Sequence, residues 1–407
     1  MQAVAEAVIS HYATVRRDLP WRRTRDPYAI WVSEIMLQQT RVATVIPYWE
    51  RWMTRFPSVT ALAEAPLDDV LASWAGLGYY SRARNLWSGA RVISSEHAGQ
   101  LPRTASELRT VPGIGPYTAG AIASIAFGER APLVDGNVAR VLARVFAIDH
   151  DIKSTAGGKA LWQRAGELMT ALPASAAPGD LNQGLMELGA TLCSPIAPRC
   201  LACPIAAHCE AARSGRVDEL PVVAQRKKQS ELPVLAQTHV WIEHGGEIVL
   251  ARRKPERLFG GLWELPALAL AEALGIAIDR EPIAYHDQTL THRQLKITVL
   301  RGVMPDRDRL VVGEDPSYDA VLRVPLADAA RLGIAAATAA ILSKYEDSPW
   351  SSIKRPSLSS PKATRRSSKG SASSATTSVT RTSSRPRRAR QRGSTSSSTT
   401  RGKSSST

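Results

Sequence analysis

The chain has 407 residues, is 44% hydrophobic, and carries 52 Lys and Arg against 37 Asp and Glu, a formal net charge of +15. This length predicts two domains and a tail, and the apolar content suffices for real cores, but no apolar run is long enough for a membrane-spanning helix. The charge is unevenly spread: residues 348–407 hold 14 Lys or Arg and no acid, and without them 38 basic residues face 37 acidic ones. The basic character therefore belongs to the tail and says nothing about nucleic-acid binding by the folded body. The opening stretch, MQAVAEAVISHYATVRR, lacks a basic start followed by an apolar run and a small-residue cleavage site. A cytoplasmic rather than secreted product is expected.

In chain order, residues 1–215 read as a helical domain, with apolar side chains at three- and four-residue spacing, as in Ile30, Trp31, Ile35 and Leu37. Glu34 lies on that apolar stripe. It is either a desolvated carboxyl, whose raised pKa would suit a general acid, or a surface glutamate that reaches out to water. Leu108 to Ala119 reads as a helix, a turn containing Gly113 and Gly115, and a second helix. Glycines there permit positive φ and close approach to a phosphate, and the helix start offers free N–H groups to the anion. Asp135, in Leu133-Val134-Asp135-Gly136-Asn137, reads as a helix N-cap that can also serve in a site.

Cys193, Cys200, Cys203 and Cys209 are the only cysteines, spaced C-x6-C-x2-C-x5-C within 17 residues. Such clustering reads as metal binding rather than a disulfide framework. One C-x2-C flanked by longer loops leans toward an iron–sulfur cluster, with tetrahedral zinc the alternative. Residues 216–236, with two prolines and an RKK run, read as a linker. From 237 to 346 a second, α+β domain is expected. Gly245-Gly246 between apolar runs marks a hairpin, Leu295 to Val299 alternates like a half-buried strand, and Ala335 to Tyr345 reads as a helix. Residues 347–407 are Ser, Thr, Arg and Lys with few large apolar side chains, and should be disordered. That tail is either a solubilising segment or an arm that tethers DNA through its phosphates.

The glycine hairpin, the aspartate 20 residues after Gly115 and the cysteine spacing resemble the iron–sulfur branch of the helix–hairpin–helix DNA glycosylases. Asp26-Pro27-Tyr28-Ala29-Ile30-Trp31-Val32-Ser33-Glu34-Ile35-Met36-Leu37-Gln38-Gln39-Thr40 closely resembles the catalytic helix of MutY-type adenine glycosylases within that branch. Leu258-Phe259-Gly260-Gly261-Leu262-Trp263-Glu264-Leu265-Pro266 resembles their Nudix-like C-terminal domain. The fold so implied is a multidomain one: an all-α glycosylase domain with a [4Fe–4S] loop, a Nudix-like domain and a basic tail.

The resemblance implies a monofunctional glycosylase of base excision repair that removes adenine opposite 8-oxoguanine or guanine from double-stranded DNA. It implies Glu34 as general acid, Asp135 as stabiliser of the oxocarbenium ion, Tyr117 as their hydrogen-bonding neighbour, and a [4Fe–4S] cluster on the four cysteines. Endonuclease III-like relatives carry a nucleophilic lysine where this chain has Tyr117, which cannot form a Schiff base. Gln39 and Tyr79 match positions that wedge beside the opposite base. Trp21, Arg22, Leu37 and Gln183 match pocket or base-contacting positions, while Arg17 is either a further candidate or a charged helix face. Thr291 and His292 fall where relatives carry Phe-Ser-His for reading 8-oxoguanine; the hydroxyl and the ring are kept and the aromatic is lost. The metal-binding glutamates of a hydrolytic Nudix box are missing after Pro266, which argues against magnesium-dependent nucleotide hydrolysis. A monomer, without membrane association and located at the nucleoid through DNA, is expected. The competing readings are a bifunctional pyrimidine glycosylase/lyase, which Tyr117 opposes, and a non-catalytic DNA-binding protein, which Glu34 and Asp135 oppose.

Overall fold

The computed structural model describes residues 1–224, 231–304 and 310–344. The RKK run of the expected linker and the expected disordered tail lie outside the described residues.

The first part of the chain is helical. Its helices are α1 (Gln2–Val15), α2 (Pro27–Leu37), α3 (Val42–Arg55), α4 (Val59–Glu64), α5 (Leu67–Ser73), α6 (Ser81–Glu96), α7 (Ala105–Leu108), α8 (Pro116–Ala126), α9 (Gly136–Val145), α10 (Thr155–Thr170), α11 (Pro178–Thr191) and α12 (Glu210–Arg213). They enclose two apolar cores. One is built from α2 to α8 around the fully buried Trp31, Trp52 and Trp74, the last two edge-on at 5.4 Å. Truncating an aromatic side chain in such a core costs about 3–5 kcal/mol. The other core is built from α1 and α9 to α11. Helix α8 serves both, giving Ala119, Ile122 and Ala123 to the first and Ala121 to the second.

Two glycines decide how closely these elements meet. At Gly120 on α8, a Cβ would stand 2.2 Å from the Pro132 carbonyl oxygen. Only a bare Cα lets the segment leading to Asp135 lie against α8. At Gly113, φ is +83° and a Cβ would stand 2.6 Å from Asn85 Cβ, so conformation and space both require glycine.

The second part is a six-stranded mixed sheet: β1 (Val234–His244), β2 (Glu247–Arg253), β3 (Trp263–Glu264), β4 (Ala277–Thr289), β5 (Gln294–Val303) and β6 (Tyr318–Pro325). Glu243 opposite Ile248 and His244 opposite Glu247 leave Gly245-Gly246 as a two-residue turn. Strand β5 runs parallel to β1 and antiparallel to β4, and β2 pairs antiparallel with β3 and β6. Two short helices, α13 (Leu268–Ala273) and α14 (Ala336–Leu342), complete it. Alternation in β5 buries Leu295, Ile297 and Val299.

The sheet rests on the helical part. Arg84 donates to the Gly260 carbonyl, Tyr80 Oη to the Ile334 carbonyl at 3.3 Å, and Trp263 Nε1 to Asp68 at 3.4 Å. Phe259 packs against the cores of both parts. Among the described residues no helix is long and apolar enough to cross a membrane.

Candidate functional site

Helix α2 is anchored at its start by Asp26, whose carboxylate accepts from the N–H groups of Tyr28 (3.1 Å) and Ala29 (3.3 Å), with Pro27 at the first helical position. Every residue from Tyr28 to Met36 is buried, as expected of a helix that is apolar nearly all round. Glu34 is carried inside with them and is only 5% exposed, which excludes the surface alternative. Burial pushes its carboxyl up to about 7, against a hydrogen bond from Tyr117 that favours the ionised form; the negative charge of Asp135 pushes it up further.

Tyr117 is the second residue of α8 and donates its hydroxyl proton to Glu34 Oε2, with Met186 Sδ 3.5 Å away. Burial, and then the charges of Glu34 and Asp135, raise the tyrosine well above its ordinary value. It therefore stays a donor at neutral pH. Asp135 caps α9, accepting from Val138 N–H at 2.7 Å and from Asn137 Nδ2 at 3.1 Å. Burial nevertheless outweighs these bonds and raises its pKa. The cap and the site role thus coexist in one side chain. Arg140 backs this arrangement: it holds Asn137 Oδ1 at 2.9 Å, the Gly189 carbonyl at 2.8 Å and the Cys193 carbonyl at 2.7 Å.

Sequence reasoning passed over Glu187, which is 1% exposed on α11. Arg17 grips it with two bonds of 2.6 and 2.9 Å, and Arg22 adds a third at 2.8 Å. Arg17 lies beyond the end of α1, so of its two readings the charged helix face is corrected, and its guanidinium is bound to Glu187 instead. Arg22 also lies close enough to Glu34 to lower its pKa slightly. The available signal was a lone glutamate among Leu185, Met186 and Leu188. Trp21 is buried edge-on to Trp49 at 6.1 Å. Leu37 ends α2, packed on the first core, and Gln183 lies half-buried on α11, one turn before Glu187.

At the glycine turn, only Gly113 takes positive φ. Gly115 has φ −83° and caps α8 in extended geometry, which corrects the expectation for both glycines. A Cβ at Gly115 would meet nothing within 4 Å, leaving its face open to a ligand. Gln39 is exposed, at φ +57°, just past the end of α2. Tyr79 is 47% exposed at φ +48°, and its hydroxyl lies 2.7 Å from Thr291 Oγ1. Thr291 and His292 are exposed at the tip of the β4–β5 hairpin, which Leu290 N–H closes onto the Arg293 carbonyl at 2.8 Å. The fold thereby joins a helical-part loop to the sheet-part loop singled out with it.

All four cysteines are unpaired and line one cavity together with Val141, Arg144, Leu188 and Leu192. Arg144 stitches the loop, donating to the Leu220 carbonyl (2.8 Å), the Ser194 carbonyl (2.7 Å) and Cys193 Sγ (3.3 Å). Burial pushes the Cys203 and Cys209 thiols up. Among the described residues no three His, Cys, Asp or Glu side chains converge on a single-ion site. Four thiols lining one cavity are the soft ligand set that either zinc or an iron–sulfur cluster takes.

Comparison with known proteins places these features. Residues 32–165 match the HhH-GPD superfamily of base excision DNA repair proteins, and residues 238–344 match a NUDIX domain. An adenine DNA glycosylase of Homo sapiens is 41% identical over 316 residues, 64% of this chain and 57% of that protein. One from Arabidopsis thaliana is 39% identical over 319 residues, 69% of this chain and 50% of its own length. One from Buchnera aphidicola subsp. Acyrthosiphon pisum is 35% identical over 251 residues, 62% of this chain and 70% of that protein. The chain thus spans between half and three-fifths of the length of the first two relatives.

Proposed function

The chain belongs to the adenine DNA glycosylase family, and on that premise we propose that it excises adenine mispaired with 8-oxoguanine or guanine in duplex DNA, hydrolysing the N-glycosidic bond without cutting the strand. The observation that carries the reading is the buried Glu34 bonded by Tyr117, at the place after the hairpin glycines where a lyase needs lysine.

Adenine leaves poorly as an anion. The target nucleotide is flipped from the duplex into the pocket. Glu34, protonated, donates its proton to a ring nitrogen of adenine, so that the C1′–N9 bond breaks with its electron pair going to a neutral base. Asp135, ionised against the start of α9, stabilises the positive charge left on the sugar. A water adds to C1′ and gives up a proton, regenerating the acid. Gln39 and Tyr79 fill the gap beside the opposite base, and Thr291 and His292 contact that base. Gly113, Gly115 and the α8 start hold a backbone phosphate. Cys193, Cys200, Cys203 and Cys209 would hold a [4Fe–4S] cluster, which when bound clamps its loop and takes no part in bond cleavage.

Single-turnover assays on duplexes containing A:8-oxoguanine, A:G and thymine glycol test the reading. Adenine release from the first two, intact strands, and a loss of about 10²–10⁴-fold in Glu34→Gln are expected. Absence of adenine release from the wild type would sink the function, and full activity in Glu34→Gln would sink the mechanism. Iron and sulfide content, with visible absorption that Cys203→Ser abolishes, tests the cluster.

A further inference from the structure

We infer that Arg82 is a positioning residue that ties the two wedge residues, Gln39 and Tyr79, into one rigid unit; the inference rests on the function proposed above. Arg82 is the second residue of α6 and is 8% exposed. One guanidinium nitrogen donates to the carbonyls of Ile35 (3.0 Å), Met36 (2.9 Å) and Gln38 (2.5 Å), which close the end of α2. The other donates to the carbonyls of Leu77 and Gly78, both at 3.0 Å. Both nitrogens reach Thr40 Oγ1 at 3.3 Å. The carbonyls of Gln38 and Gly78 belong to the peptide bonds that lead directly into Gln39 and Tyr79.

Those two residues share a further property: each sits in left-handed backbone, φ +57° and +48°, although neither is glycine. Such conformations persist only where the surroundings over-determine them, and they cluster at functional sites. Arg82 supplies that constraint to both at once, and its guanidinium also lies 5.6 Å from the centre of the Tyr79 ring. A planar fork can hold two separate sets of carbonyls at fixed separation; a lysine ammonium, compact and point-like, cannot. The consequence is mechanical. Duplex DNA pushing on Tyr79 pushes, through Arg82, on the helix that carries Glu34, so wedge and acid stay in register while the base is extruded.

A purely structural role would lower stability and slow every step equally, so the test reads coupling. Arg82→Lys and Arg82→Gln are each made in the parent chain and in a Gln39→Ala/Tyr79→Ala background. Two quantities are measured for all: the fluorescence rise of 2-aminopurine at the target position opposite 8-oxoguanine, which reports extrusion, and the single-turnover rate of adenine release. Extrusion and rate are expected to fall about tenfold or more in the parent, and less than about twofold where the wedge is already gone, the non-additivity of residues acting through one another. Equal losses in both backgrounds, or no loss in the parent, would overturn the inference. If Arg82→Gln does not fold, Arg82→Lys, which keeps charge and stem, carries the same comparison. A wild type that extrudes the base without releasing it defeats the proposed function but leaves the clamp readable; one that does neither overturns both.

Discussion

Two glutamates of the helical part, both under the charge of Arg22, differ in almost everything except burial. Glu34 on α2 is 5% exposed and Glu187 on α11 is 1% exposed. Burial pushes both up, yet Glu34 ends raised to about 7 while Glu187 ends lowered, because the hydrogen bonds and charges of Arg17 and Arg22 together outweigh its desolvation. Among the described residues Glu34 has only a neutral tyrosine hydroxyl as its direct partner. A buried carboxyl is therefore no proton donor by burial alone; what matters is that its cationic neighbour Arg22 is bonded to the other carboxylate and lowers this one only through space. The sequence places two arginines nearby and commits them to the other carboxylate. One glutamate is left protonatable near neutral pH, and the other is an anion held by two arginines.

The largest effect should appear in the pH dependence of stability. With a folded pKa of about 7 and an unfolded one near 4.5, native Glu34 binds more protons than the unfolded chain between these values. Stability is thus lost as pH rises through that window, by up to about 3 kcal/mol, and the loss levels off above it. Glu34→Gln removes the ionisation. Urea unfolding of the two proteins should give similar midpoints at pH 4.5 and a more stable variant at pH 8; parallel curves would mean that Glu34 is solvated after all. The rate of base release should show the matching limb, falling as pH rises past about 7 because the acid is lost.

A smaller effect is expected from the other glutamate. Glu187→Gln leaves Arg22, whose side chain is 12% exposed, without its anion, while the more exposed Arg17 can turn to water. A destabilisation of about 1–3 kcal/mol follows, below the full cost of breaking a fully buried pair. The released Arg22 charge should then act on Glu34, moving the alkaline limb of the rate profile to lower pH by about half a unit to one unit. A limb that stays in place would show that the two carboxyls do not share their cations.

Why one glutamate was legible in the sequence and the other was not follows from where their partners sit. Glu34 lies at helical spacing from Ile30, Trp31 and Leu37, which leaves burial and solvation as two local readings, and the resemblance of its helix to the MutY-type motif favours the first. Glu187 is defined by Arg17 and Arg22, separated from it by 170 and 165 residues, and no periodicity reports such a meeting. The same division runs through the rest of the chain. The Gly245-Gly246 hairpin and the cysteine loop are local and were readable. The parallel pairing of β1 with β5, the Tyr79–Thr291 contact and the hold of Arg82 on two loops join distant segments and emerge only in three dimensions. Gly115 shows the limit even of local reading, since its glycine leaves open space rather than serving a left-handed turn.

The last and smallest effect concerns the group that stands between the two carboxyls in character. Tyr117 donates to Glu34 and so favours its ionised form, opposing burial. Tyr117→Phe keeps the ring against Met186 and the second core but removes that bond. Glu34 should then titrate higher, and the alkaline limb of the rate profile should move upward by less than about one unit, opposite in sign to Glu187→Gln. The plateau rate should fall, by about tenfold or less, because the carboxyl loses the partner that fixes its orientation and that would stabilise the carboxylate formed when the proton leaves. A downward shift would place the tyrosine with the protonated acid rather than with its conjugate base. Because the two substitutions push the same titration in opposite directions, Glu187→Gln/Tyr117→Phe should bring the limb back near its wild-type position while the rate stays low. That combination separates the setting of Glu34's pKa from the work the residue does.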